Sequence, residues 1–252
     1  MKLLTLARDL HRRKAREKHS LFVAEGVRSV EELLASGLAV RGALVAPQLA
    51  SAPRGEALRL QLDQSRVEIA EVSEKDFRSA AETESPQGVI AIGEVPSRSL
   101  DTLKVPLVCR ILVLDAVQDP GNVGTILRTA AALGATATIA LPGTVDLWNP
   151  KVIRSSMGAQ FHHFAFHAEW AELSRLLESE KIELWAADAQ GEPLDKTRAV
   201  KRMAIVVGNE GSGLSAGVRA KADRTISLPI ANSVESLNVA VAAGIILHEL
   251  RP

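Results

Sequence analysis

Three loops place polar residues inside apolar surroundings, with types and spacings that suit ligand binding or catalysis. The first is DAVQDPGNVGTILRT, residues 115–129. Asp119-Pro120-Gly121-Asn122 has turn chemistry, and Asn122 has the side chain of a helix cap. Arg128 follows on a helix whose other residues include Val123, Ile126, Leu127, Ala130, Ala131 and Leu133. It lies roughly 1.7 turns beyond Asn122. An arginine so placed either reaches back over the turn as an anion clamp or sits on the surface beside a routine cap. The second loop is LWNPKVIRSSMGA, residues 147–159. Asn149 before Pro150 reads as a cap with proline in the first helical turn. Lys151 and Arg154 share a helical face, which suits phosphate or plain solvent equally.

The third constellation has two parts, VVGNEGSGL (206–214) and SLPIANSVESLNVAVAAG (227–244). Gly208, Gly211 and Gly213 permit positive φ and close backbone approach to a ligand. Their spacing is not G-x-G-x-x-G and no Lys-Ser/Thr follows, so binding of a nucleotide phosphate has little support. Ser236 and Asn238 put two polar side chains at the start of an apolar helix, where they serve either capping or a ligand. The six histidines form no metal constellation. His162 and His163 are adjacent and point to opposite faces in a strand, and no carboxylate pair sits near His167 at a ligand spacing. No G-x-S-x-G is present, so hydrolase and zinc chemistry are disfavoured.

These loops need rigid elements beneath them, and the hydrophobic pattern supplies two series. FVAEG (22–26), ALVAP (43–47), VEIAEV (67–72) and GVIAIG (88–93) read as strands. A helix from Val27 to Ala35, with Val30, Leu33 and Leu34 on one face, lies among them, with further helices in GEALRLQL and EKDFRSAA. Residues 1–93 are thus a small α/β domain. Residues 94–107, with two prolines and little periodicity, read as a linker. In residues 108–252, RILVLDAV, ATIAL, FHHFAF, IELWAAD, MAIVVG and RTISLPI are the strands. They alternate with helices in GNVGTILRTAAALGA, NPKVIRSSMG, EWAELSRLLES and SVESLNVAVAAGIILHEL. Alternation of this kind predicts a mostly parallel sheet covered on both faces. The three loops then fall at the carboxyl ends of strands, where open α/β sheets bind ligands.

Composition narrows the class further. The chain has 252 residues, 46% hydrophobic, enough for two small cores. No run of 18 apolar residues occurs, so no membrane helix is expected. Charges interrupt the amino terminus too early for a signal peptide, and Cys109 is the single cysteine, which excludes an internal disulfide. A cytoplasmic location is expected. Net charge is +0. Residues 1–20, however, carry seven Lys/Arg against Asp9 and Glu17, a local +5, and the other 23 basic and 28 acidic residues leave −5. A basic end suits a phosphate-gripping arm or a solvated helix end. Three Trp, five Phe and no Tyr offer few rings for base stacking. Any RNA recognition therefore leans on phosphates, backbone and shape.

Taken in order, DPGNVGTILRTAAALGA, NPKVIRSSMGA, VVGNEGSGL and SLPIANSVESLNVAVA resemble the SpoU (TrmH-like) branch of the SPOUT RNA methyltransferases. Residues 1–93, through KHSLFVAEGVRSVEELLASG, resemble the α/β substrate-binding domain that precedes the catalytic domain in many members. The resemblance implies a carboxyl-terminal trefoil knot, against the usual rule that chains do not thread loops. It also implies S-adenosylmethionine as cofactor, RNA as substrate, and a homodimer with its active site near the subunit interface. By the same resemblance, Asn122, Arg128, Glu210, Ser236 and Asn238 are the polar catalytic set. Gly208, Leu228 and Leu237 contact the methyl donor largely through backbone. Asn149 and Arg154 match a motif that serves folding and the interface. Ala240 stands where the family often has serine.

The implied reaction is methyl transfer to a ribose 2′-hydroxyl, most readily on ribosomal RNA given the two-domain layout. That hydroxyl must be oriented and relieved of its proton. Arg128 is no ordinary base, because guanidinium stays charged. It is assigned as an electrostatic clamp on the neighbouring phosphate and developing alkoxide. Asn122, Ser236 and Asn238 hold the ribose and Arg128. Glu210 orients the arginine or receives the proton through water, and both readings stay open. A transfer-RNA substrate, a catalytically inactive ribosome-assembly factor and a dinucleotide oxidoreductase are the alternatives. The glycine spacing speaks against the last.

Overall fold

The computed structural model describes residues 2–194, 200–231 and 236–251. They divide into two compact units, one comprising residues up to Ser97 together with Trp148–His162, the other Arg98–Leu147 and His163 onward.

In the first unit, α1 (Leu3–Asp9) and α2 (Arg13–His19) precede β1 (Leu21–Glu25), α3 (Val27–Ala35) and β2 (Val40–Val45). A 3₁₀ turn at Pro47–Ser51 leads to α4 (Pro53–Gln64), β3 (Ile69–Glu71), α5 (Glu74–Arg78) and β4 (Val89–Glu94). The sheet order is β1-β4-β2-β3, with β2 and β3 parallel and the other pairs antiparallel. Alternation along β1 explains its two cores. Leu21 and Val23 join Leu3, Leu6, Leu10 and Phe77 on one face. Phe22 points the other way and stacks on Trp148 at 4.5 Å and Phe161 at 5.5 Å between ring centroids. The Phe22 ring is accommodated because residue 93 is glycine, where a Cβ would stand 2.4 Å from it.

Those stacks group Trp148–His162 with the first unit by contact, although in sequence the segment lies inside the expected 108–252 domain. The boundary follows aromatic burial rather than chain order. The linker reading also shifts. β4 continues to Glu94, and Leu100, Leu103 and Val105 pack on the core of the second unit.

The second unit begins with β5 (Cys109–Asp115), α6 (Pro120–Ala132) and β6 (Ala137–Ala140). The chain then contributes α7 (Pro150–Ser156) and α8 (Ala159–His162) to the first unit. It resumes with β7 (Ala165–His167), α9 (Trp170–Glu180), β8 (Glu183–Pro193) and β9 (Arg202–Gly208), followed by α10 (Ala216–Arg219), β10 (Arg224–Ser227) and α11 (Val239–Glu249). The sheet is parallel throughout, in the order β10-β8-β9-β5-β6-β7. Ile111, Val113, Ile139, Leu184 and Val206 bury one face with Leu173 and Leu177 of α9. On α6 and α11, which pack together, Val123, Ile126, Leu127, Ala243, Ile246 and Leu247 are buried.

Several local expectations are corrected. FHHFAF is not one strand: Phe161 and His162 end α8, and only Ala165–His167 pairs with β6. His163 lies between them, buried, with Nε2 2.8 Å from Thr138 Oγ1. The last helix starts at Val239 rather than near residue 233, and residues 232–235 lie outside the described residues. The basic amino terminus is not a free arm. Arg16 is buried and donates to the Leu10 and His11 carbonyls, Arg12 pairs with Asp9, and Arg13 pairs with Glu17 at 2.7 Å. Lys2, Lys14 and Lys18 are exposed.

No helix among the described residues is long and apolar enough to cross a membrane, and no group of His, Cys, Asp or Glu among them is placed to hold a metal ion.

Candidate active site

The register between β5 and β9 sets the site. Asp115, the last residue of β5, pairs with Gly208, the last residue of β9. The loops leaving these strands therefore emerge side by side, and residues nearly a hundred positions apart become neighbours. Asp115 reinforces this by accepting a hydrogen bond from the Ser215 backbone N–H at 2.6 Å.

In the first loop the cap is Asp119, not Asn122. Asp119 Oδ1 accepts from the Asn122 N–H at 2.7 Å, and Pro120 takes the first helical position, where its missing N–H costs nothing. Asn122 sits in the first turn with its side chain free of capping duty. Its Nδ2 donates to Glu210 Oε1 at 3.0 Å, and its Oδ1 accepts from Asn238 Nδ2 at 2.9 Å. Asn238 does two things at once: Oδ1 caps α11 by accepting from the N–H groups of Ala240 (2.9 Å) and Val241 (3.3 Å), while Nδ2 reaches Asn122. Capping, one of the two readings posed for this residue, is thus observed, and the bond to Asn122 comes in addition to it.

Glu210 also accepts from the Gln118 and Asp119 N–H groups, at 3.3 and 3.2 Å. Partial burial pushes its carboxyl up, but the donors from Asn122 and the backbone of residues 210, 118 and 119 outweigh that, so it titrates below the ordinary glutamate range. It stays ionised at neutral pH. Its partners are Asn122 and the turn. Arg128 has no hydrogen-bond or ion-pair partner among the described residues, and it lies exposed on α6. The structure thus joins Asn122, Glu210 and Asn238 into one chain of hydrogen bonds and leaves Arg128 and Ser236 outside it.

Beside this chain lies a cavity of about 580 Å³, lined by Val207–Gly211, by Ile226, Leu228 and Ile230, and by Leu237 and Ile246. Asp188, Asn209, Glu210, Ser227, Ser236 and Asn238 are the polar residues along it. Gly208, Leu228 and Leu237 all line it. The size and the mix of apolar walls with few polar groups suit a ligand of nucleoside-plus-amino-acid size.

Gly208 has a second role. A Cβ there would stand 2.4 Å from the Gly213 carbonyl carbon and 2.6 Å from the Leu214 nitrogen. The glycine is demanded by the loop's own backbone, which folds over it. Asn149 and Arg154 take no part in this constellation. Asn149 caps α7, accepting from the Lys151 N–H at 2.9 Å, and Arg154 lies 3.7 Å from Glu82.

Sequence reasoning missed Asn209 and Asp115. Asn209 had a legible signal, since an Asn two residues before a Gly is a common Asx-turn former. Asp115 had none, because its partner lies a hundred residues away.

Comparison with known proteins agrees with this architecture. Residues 110–248 match the SpoU rRNA Methylase family, and residues 5–91 match the MRM3-like substrate binding domain. The chain is 35% identical over 246 residues to the Bacillus subtilis 23S rRNA (guanosine(2553)-2′-O)-methyltransferase RlmP, covering 97% of this chain and 94% of that one. It is 31% identical over 256 residues to the 23S rRNA (uridine(2479)-2′-O)-methyltransferase of Streptomyces viridochromogenes, covering 95% and 85%. The crystal structure of the SpoU methyltransferase AviRb from the same organism, in complex with AdoMet, superposes with a TM-score of 0.90 at 30% identity over 99% of this chain and 97% of that one. With a family match over more than half its length and homology over nearly all of it, this chain belongs to the SpoU rRNA methylase family.

Proposed function

We propose that the chain is an S-adenosylmethionine-dependent ribose 2′-O-methyltransferase acting on ribosomal RNA. The observation that carries the reading is the Asn238–Asn122–Glu210 chain at the edge of the cavity. The cavity's size and lining fit the methyl donor, which supplies an electrophilic methyl group when bound. Leu228, Leu237 and Ile246 form apolar walls for it, and the backbone at Gly208–Gly211 provides polar contacts. Ser236, at the edge of the same cavity, is assigned to the ribose.

Locked between a carboxylate and a second amide, Asn122 has one amide orientation. Its remaining N–H and lone pair are aimed without reorganisation when the ribose arrives, which is how preorganised groups lower a barrier. Arg128 rises from the same helix roughly 1.7 turns on and presents its guanidinium to solvent. It is assigned to hold the adjacent phosphate and the alkoxide that develops as the 2′-hydroxyl loses its proton. Glu210 acts through Asn122 rather than through Arg128.

Residues 1–93 are assigned to RNA affinity, which their match to a substrate binding domain supports. The homology over nearly the whole chain to 23S rRNA enzymes favours ribosomal RNA over transfer RNA. A cytoplasmic location, expected from the sequence, is kept as part of this reading.

Two further features of the family reading are proposed here. The carboxyl-terminal segment is knotted, a feature taken from the family resemblance and compatible with β10 at the sheet edge and α11 packed on α6. The chain is a homodimer through α11, which leaves Val241 (51%) and Ile245 (39%) exposed one turn apart, with Leu237 just before them.

The test is mass-spectrometric mapping of 2′-O-methylation in rRNA from cells with and without the gene, complemented by wild type or Arg128→Ala. One ribose methyl group disappears with the gene and returns only with wild type. The variant retains donor affinity within a few-fold and loses about 10²–10³ in rate. An unchanged methylation map, or near-normal transfer by the variant, refutes the assignment.

A further inference from the structure

The glycine loop contains a side chain whose hydrogen bonds exceed what its own turn requires. Asn209 Oδ1 accepts from the Gly211 N–H (2.9 Å), the Ser212 N–H (2.9 Å) and the Ser212 hydroxyl (3.1 Å). That is an Asx-type turn, and an aspartate would make it equally well. The amide nitrogen does something an aspartate cannot. Asn209 Nδ2 leaves the loop and donates to Ala116 O at 2.9 Å, across 93 residues of sequence. Ala116 is the hinge of the other loop: it follows β5 with φ +57°, a left-handed conformation that a non-glycine residue adopts only when its surroundings impose it.

The next residue on each side completes the pattern. Glu210 takes the Gln118 and Asp119 N–H groups and Asn122 Nδ2. Residues 209 and 210 thus grip residues 116 and 118–119 in step, one by donating and one by accepting. The Asn209 backbone closes the far side of the loop, exchanging N–H···O bonds of 3.0 Å with Gly213 in both directions.

We propose that Asn209 is a positioning residue for methyl transfer: its amide latches the glycine loop to the Ala116 hinge and so holds Glu210, and through it Asn122, in working register. The proposal deepens the methyltransferase reading and rests on it for the word transfer. The latch itself is a property of the fold that can be measured without turnover.

The latch accounts for the particular residue type. Asp at 209 keeps the turn and sets a carboxylate against the Ala116 carbonyl. Ala loses both. Loosening the register by about 1 Å is enough to cost about a hundredfold in a preorganised site.

The experiment compares full-length wild type, Asn209→Asp and Asn209→Ala. The first readout is the Glu210 carboxyl titration by carbon-detected NMR. In wild type Glu210 titrates below the ordinary glutamate range, and in both variants it moves back up as its donors at 118, 119 and 122 drift away. The second is calorimetric affinity for S-adenosylmethionine, which weakens in both variants because Asn209 also lines the donor cavity, so transfer is compared at saturating donor. The third is single-turnover transfer to rRNA from a strain lacking the gene, at pH 5 to 8 and expressed relative to wild type at each pH. Asn209→Ala falls by tenfold to a hundredfold at every pH. Asn209→Asp falls as far at pH 8 and recovers toward pH 5, where a protonated carboxyl again donates to Ala116 O.

If Glu210 titrates in both variants as in wild type, the latch is refuted. It is equally refuted if Asn209→Asp shows full transfer at pH 8. Should wild type itself transfer no methyl group, the enzymatic reading fails while the Glu210 titration still decides whether Asn209 holds that carboxylate.

Discussion

Replacing Gly208 by alanine tests whether the loop after β9 is built on its own backbone. The added Cβ would lie 2.4 Å from the Gly213 carbonyl carbon and 2.5 Å from its oxygen, where ordinary contacts begin at about 3.4 Å. The loop must open by roughly 1 Å. Three hydrogen bonds depend on its closed form: the reciprocal Asn209–Gly213 pair and the Asn209 reach to Ala116. At about 1 kcal/mol net for each, their loss destabilises the protein by about 3 kcal/mol. For a chain of this size that lowers the melting temperature by about 6–12 °C. The opened loop also disturbs the cavity wall, so the donor no longer stabilises the protein. The assay is thermal melting with and without S-adenosylmethionine. At 100 times its dissociation constant the donor stabilises wild type by about 2.7 kcal/mol. Gly208→Ala is expected to melt low and gain little from it. A variant that melts within a degree of wild type and gains the full donor shift refutes the backbone argument. Gly208→Val, with a larger side chain at the same place, is expected to be worse folded still.

Other outcomes follow from the same geometry. Lys14→Ala with Lys18→Ala, which remove exposed charges one turn apart on α2, should flatten the salt dependence of RNA binding by up to ~0.9 log units per lost duplex contact; Arg16→Ala should instead lower stability, and an unchanged salt slope would put the lysines outside the RNA contact. Burial, aided by the Arg98 charge, pushes His163 down to about 4, so the folded state holds it neutral while the unfolded chain protonates near 6.5. Its contribution of about 3 kcal/mol is therefore full above pH 6.5 and lost as pH falls toward 4; urea melts of His163→Asn with wild-type pH dependence would disprove this. Val241→Glu with Ile245→Glu should convert the proposed dimer to monomer in analytical ultracentrifugation, and a dimer that survives both charges would place the interface elsewhere.

How much was legible in advance differs between fold and site. Alternating apolar runs located the strands of both sheets, because burial on one or both faces writes directly into local pattern. Turn chemistry marked the loops after β5 and β9, and glycine spacing separated them from phosphate loops. Boundaries failed where a short-range pattern had two readings. FHHFAF has the composition of a strand, yet Phe161 is drawn into α8 by its stack on Phe22. The basic residues near the amino terminus looked alike in sequence, yet a fold that buries Arg16 and pairs Arg12 and Arg13 leaves the nearby lysines to solvent.

By itself the sequence determined the residue types available to the site and the strand ends on which they stand. Asn122 and Asn238 were recognisable as polar residues on otherwise apolar helices, while Glu210 was marked only by the family resemblance. Only the tertiary structure decided which of them touch. The parallel register pairing Asp115 with Gly208 brings residue 210 to residues 118–122, and the start of α11 brings Asn238 to the other end of the same amide. The physical reason is that hydrogen bonding is decided within about an ångström. Local patterning fixes which face of an element is buried, but the separation of two loops depends on every strand and helix packed between them.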